Sequence, residues 1–147
     1  MAPHLKAFLS RLGFALGIVL FVSGCVHPKQ DEFYRFWTPT LLEVVRRSKE
    51  GVVYQLQANG ESTPLKILSS EGVSLVSSLL TQPTTYNFDE VDTQSFTPRL
   101  FLDLIDGGER IRIFFMPEEY FLGYETAQSM KVASHKQAGE ALSRLLE

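Results

Sequence analysis

The chain has 147 residues with 17 acidic and 14 basic side chains, a formal net charge of −3, and a single cysteine. An acidic excess argues against nucleic acid as a partner, since a phosphate backbone is gripped by clustered Lys and Arg. One cysteine excludes an intramolecular disulfide, so stability must come from a hydrophobic core.

Residues 1–11 carry Lys6 and Arg11 and no acid, and an uncharged run follows over residues 12–22. A positive start, an apolar middle and a small-residue exit are the order of a secretory signal, and the uncharged stretch is too short for a spanning helix. The run ends in Val22, Ser23, Gly24 and Cys25, which resembles the lipobox of bacterial lipoproteins. That resemblance implies cleavage before Cys25 and a covalent diacylglycerol plus an N-acyl chain on that residue, with no separate cofactor. It implies a protein held to a bacterial membrane, with its domain in the periplasm or at the cell surface. Val26, rather than aspartate, follows the cysteine, which favours the outer membrane over the inner by the same family tendency.

Cleavage leaves 12 basic and 17 acidic residues, a net charge of −5 on 123 residues, enough for one domain. The expected division is a removed signal over 1–24, a lipidated tether over 25–31 and a single domain over 32–147. The tether after Cys25 is polar and reaches about 20 Å if extended. Phe33, Tyr34, Phe36 and Trp37 follow at once and suit a core position, with a membrane interface as the alternative.

Thr38 and Pro39 predict an N-cap and first helical residue, for a short helix that Gly51 closes. Residues 52–58 and 61–67 flank Asn59-Gly60 and predict a hairpin with a two-residue turn. That turn sets Leu56 opposite Thr63, Tyr54 opposite Leu65 and Val52 opposite Ile67, all the large apolar groups on one face, with Pro64 marking a sheet edge. Ser70 is the expected cap of a helix bearing Val73, Val76, Leu79 and Leu80. Residues 82–98 read as a long surface loop, with a short strand near Tyr86 and Phe88.

A second hairpin turns at Gly107-Gly108. It sets Leu104, Leu102 and Leu100 opposite Ile111, Ile113 and Phe115 on the core face. On its other face Phe101 meets Phe114 and Asp103 meets Arg112. Strands are predicted over 118–124 and 131–133. Ser134 with Gln137 predicts a capping box for a last helix carrying Ala138, Ala141, Leu142, Leu145 and Leu146. The fold class is therefore α+β, a small antiparallel sheet built from two hairpins with helices packed on one face.

No catalytic constellation emerges. His135 is the only histidine of the body and suits the first turn of the last helix, and no metal site of His and Cys ligands is supported. Asp103 with Asp106, or Glu118 with Glu119, could be named as acid pairs, but nothing in their spacing selects them. Residues 89–92 are acidic yet lack the glycine and spacing of a calcium loop. The expected function is a non-enzymatic module that binds another envelope protein through Phe101, Asp103, Arg112 and Phe114 or the edge at Pro64. Such modules include assembly factors, inhibitors, immunity and exclusion proteins. A carboxylate-dependent cell-wall hydrolase and a structural envelope lipoprotein are the alternatives.

Overall fold

A computed structural model describes residues 28–89 and 95–147; the expected signal and the lipobox-like residues Val22, Ser23, Gly24 and Cys25 lie outside them. Pro28–Phe36 forms α1, with Asp31 in the first turn and Arg35 in the last, charges that suit the helix dipole. Residues 28–31, counted with the tether, are already helical, so its reach is shorter than the fully extended limit. Between Cys25 and Pro28 only two residues intervene, a span of at most about 11 Å. Phe33, Phe36 and Trp37 are buried and Tyr34 is exposed, so three of the four aromatics serve the core.

The Thr38 hydroxyl accepts the N–H of Leu41 and opens α2, Pro39–Arg47, which buries Leu42, Val44 and Val45. Ser48 ends it, with its N–H and its Oγ both directed to the Val44 carbonyl. Gly51 belongs to the next strand, not to a helix stop, where its bare Cα lets Val73 and Leu68 approach. The strands are β1 Glu50–Leu56, β2 Ser62–Ile67, β3 Leu100–Asp106, β4 Glu109–Met116, β5 Phe121–Glu125 and β6 Met130–Ser134. They form one antiparallel sheet in the order β2-β1-β3-β4-β5-β6, with β2 at one edge as its proline requires.

The second hairpin has the predicted register throughout, from Leu100 opposite Phe115 to Ile105 opposite Arg110. The first departs from it. Gln57 donates to the Glu61 carbonyl and Gly60 turns with φ +84°, so the loop holds three residues, Ala58 to Gly60, not two. Tyr54 then faces Pro64 and Leu56 faces Ser62, and a bulge at Leu65 restores the expected pairing of Val52 with Ile67. Val52, Tyr54 and Leu56 share one face as expected, and it is the face turned away from the core, to which β1 presents Val53.

Helix α3, Ser70–Leu80, is capped by Ser69, one residue before the expected position, and buries Val73, Val76 and Leu80. The stretch after it is no plain surface loop. A 3-10 turn over Pro83–Thr85 drives Tyr86 into the core, Asn87 bridges to Ser134, and Phe96 is buried. Before β5 another 3-10 turn, Pro117–Glu119, takes residues expected in a strand, and Tyr120 follows at φ 59°. The last helix, α4, is Lys136–Leu146.

Helices α2, α3 and α4 pack on β1, β3, β4 and β5. Their apolar sides meet Val53, Leu102, Leu104, Ile113, Phe115 and Leu122 in a single core. The α+β architecture with helices on one face is as expected. Aromatic rings fill the end nearest α1: Trp37 stacks on Tyr124 at 4.9 Å, and its Nε1–H donates to the Tyr86 hydroxyl at 2.9 Å. Tyr86 donates in turn to the Leu80 carbonyl, and Tyr124 to the Phe36 carbonyl. Burial pushes the Tyr86 phenol far up and that of Tyr124 to about 12, so both remain donors.

His135, not Ser134, caps α4, because Ser134 is held in β6 by its pair of backbone hydrogen bonds to Asn87. The imidazole is fully buried. Its Nδ1 accepts the Ala138 N–H at 3.1 Å, and its Nε2 lies 3.0 Å from the Leu79 carbonyl and 2.9 Å from the Thr85 hydroxyl. These partners assign the neutral tautomer with hydrogen on Nε2. Burial lowers its pKa below 6.5. The unfolded chain therefore binds the proton first, and stability that is complete above 6.5 declines as pH falls below it. Urea midpoints measured from about pH 7 to pH 5 should fall, and more steeply than those of His135→Asn, whose shorter side chain can still cap. Equal slopes in the two proteins would refute this role.

Candidate interaction face

The sheet face turned away from the helices is built in rows by strand pairing. Tyr54, Phe101, Phe114, Gly123 and Val132 occupy one row across β1, β3, β4, β5 and β6. Val52, Asp103 and Arg112 occupy the next, and Ile67 extends it at the β2 edge. Both rows follow from alternation: once Leu102 and Leu104 turn to the core, their neighbours must turn away from it.

All four residues expected at an interface, Phe101, Asp103, Arg112 and Phe114, lie on this face, but not equally displayed. Phe101 is 1% exposed. Among the described residues its cover is side chains of the sheet itself: the Tyr54 ring stacks on it at 4.8 Å, and the Arg112 guanidinium sits 3.9 Å from its centroid. Phe114 contributes a tilted contact at 5.7 Å. Phe101 is thus a floor, while Tyr54, Phe114 and Arg112 remain partly open to solvent.

Asp103 is the buried charge of this face. Both of its oxygens accept from Arg112, Oδ1 from Nε and Oδ2 from Nη2, each at 2.8 Å, and Arg110 approaches Oδ2 at 3.5 Å. The fork geometry suits a planar guanidinium, and the hydrogen bond to Asp103 raises the Arg112 pKa further. The pair fixes the guanidinium flat over Phe101, which a free arginine would not do.

Phe96 closes the far end of the face. Gly123 leaves the space it needs, since a Cβ there would stand 3.3 Å from the Phe96 ring and only 2.4 Å from the Lys131 carbonyl. At the near end Ile67 is 79% exposed and Leu65 48%. The sequence reading missed Tyr54, Ile67 and Phe96 as parts of this surface. The first hairpin alone does not say which side of the sheet Tyr54 and Ile67 take, and Phe96 sits in a polar stretch with no periodicity to announce it.

The named acids are otherwise engaged or apart. Asp106 pairs with Arg47 at 3.1 Å, within a cluster that includes Glu43 and Glu109. Glu118 and Glu119 line a hollow of about 430 Å³ with Arg99 and Gln55 at one end of the sheet. Among the described residues no group of His, Cys, Asp and Glu could hold a metal ion, and no helix is long and apolar enough to cross a membrane. Of the acidic stretch 89–92, only Asp89 is described. Compared with known proteins, the chain matches no protein-family model, no curated protein and no solved structure.

Proposed function

We propose that this chain is a lipid-anchored envelope lipoprotein whose sheet face opposite α2, α3 and α4 binds another envelope protein. The observation that carries the binding half is the exposed Ile67 and the partly open rings of Tyr54 and Phe114 in adjacent rows beside the Asp103–Arg112 pair. Aromatic side chains and a fixed arginine, rimmed by charge, are what protein interfaces concentrate. The anchoring half rests on the lipobox resemblance at Cys25. Its lipid would hold α1, which starts within about 11 Å of that cysteine, against the membrane.

Both halves are tested by one set of strains. Cys25→Ala is expected to move the protein from the membrane fraction to the soluble fraction. A photocrosslinking residue at Phe114 or Ile67 should give one discrete adduct in native membranes, absent when the same residue replaces Glu140 on α4. Persistence of Cys25→Ala in the membrane overturns the anchor. Adducts equal from both sides of the molecule overturn the binding face.

A further inference from the structure

We propose that the groove between α2 and α3, on the helical side of the sheet, binds a phosphate group. The groove encloses about 480 Å³, the size of a small-ligand site. From the end of α2 it is lined by Arg46 and Lys49, and from α3 and its cap by Ser70, Ser74, Ser77, Ser78 and Thr81. Those five hydroxyls recur at helical spacing and so form one stripe along α3. No carboxylate lines the groove.

Two further observations point to a ligand. Among the described residues, neither Arg46 nor Lys49 makes a side-chain ion pair or hydrogen bond, although the adjacent Arg47 engages Glu43, Asp106 and Glu109. Ser77 is only 7% exposed, and its Oγ is the one buried side-chain polar atom without a hydrogen-bond partner among the described residues. Its neighbours show the usual alternative: Ser48 and Thr81 give their hydroxyls to the carbonyls of Val44 and Ser77, one turn back. Ser77 leaves that bond unmade beside a polar groove, and a buried hydroxyl calls for a partner.

Phosphate fits this donor set better than a carboxylate does. It presents three or more acceptor oxygens, enough for the Arg46 fork, the Lys49 ammonium and the Ser77 hydroxyl together, the last after a turn about χ1 that brings its solvent-closed Oγ out to the groove. The group could come from a lipid headgroup or from a free phosphate or phosphate ester, and the chemistry of recognition is the same.

The test is calorimetric titration of inorganic phosphate into the protein as isolated from its native membrane, held in digalactosyldiacylglycerol vesicles, whose headgroups carry no phosphate. One saturable site is expected. Replacing Arg46 and Lys49 by Gln together should weaken it at least about tenfold. Ser77→Ala should weaken it several-fold while leaving the urea midpoint unchanged or raised, because the hydroxyl it removes has no partner in the protein. Arg144→Gln, on the exposed side of α4, should leave the isotherm as it was. Repeating the titration with phosphatidylglycerol in the vesicles separates the sources. An isotherm lost there means that the headgroup occupies the groove, and one retained means a soluble phosphate. No saturation below about 10 mM overturns the proposal. So does an equal loss in Arg144→Gln, or full binding by Ser77→Ala.

Discussion

Trp37→Ala is expected to lower stability by about 3–5 kcal/mol, much of the margin of a domain this size. Trp37 is fully buried where α1, α2 and β5 converge, stacked on Tyr124 and edge-on to Phe36. Its removal leaves a cavity that the surrounding rings can only partly fill, and takes the Nε1–H donor from the Tyr86 hydroxyl. Tyr86 keeps its own bond to Leu80, so the lost hydrogen bond is the smaller part. Trp37→Phe isolates it, with an expected cost of about 1–2 kcal/mol beyond the change in volume. Because Trp37 is the only tryptophan, unfolding of the variants must be followed by circular dichroism in urea. A loss below about 1 kcal/mol for Trp37→Ala would mean that α1 is not an integral part of the fold.

The second large effect is an asymmetry. Arg112→Ala should cost about 2–4 kcal/mol, and Asp103→Asn about 1–2 kcal/mol. Removing the arginine strands a carboxylate that is only 2% exposed, with Arg110 as a distant substitute, and uncovers Phe101. Removing the carboxylate charge leaves a guanidinium that is 40% exposed and can turn to water. The comparison is read from urea midpoints, with the double variant closing a cycle. Equal losses would mean that Asp103 is better solvated than its burial indicates.

Legibility in the sequence followed the strength of local rules. The second hairpin could be read residue by residue because Gly107-Gly108 permits a tight turn and the flanking alternation is unbroken. In the first hairpin Asn59-Gly60 is an equally strong turn signal, yet the glycine took the left-handed position of a three-residue loop, and a bulge at Leu65 absorbed the difference. Which side of β1 faces the core was decided by its pairing with β3, a partner more than forty residues away in sequence. Local pattern holds no information on that. The same applies to Tyr86 and Phe96, isolated aromatics in a polar stretch, and to His135, which caps α4 only because β6 claims Ser134. Of the binding face, Phe101, Asp103, Arg112 and Phe114 were legible as a cross-strand set, while their unequal exposure depended on Tyr54.

The edge strand β2 has a consequence for the chain while it is being made and moved. An open edge with two exposed aliphatic side chains invites strand after strand to add to it, the route to fibrils. Here an incoming strand meets a missing N–H at Pro64, a broken ladder at Leu65 and a positive charge at Lys66, all within three residues. These three features make the edge a poor template. They keep folded copies of the chain from adding to one another where they are concentrated.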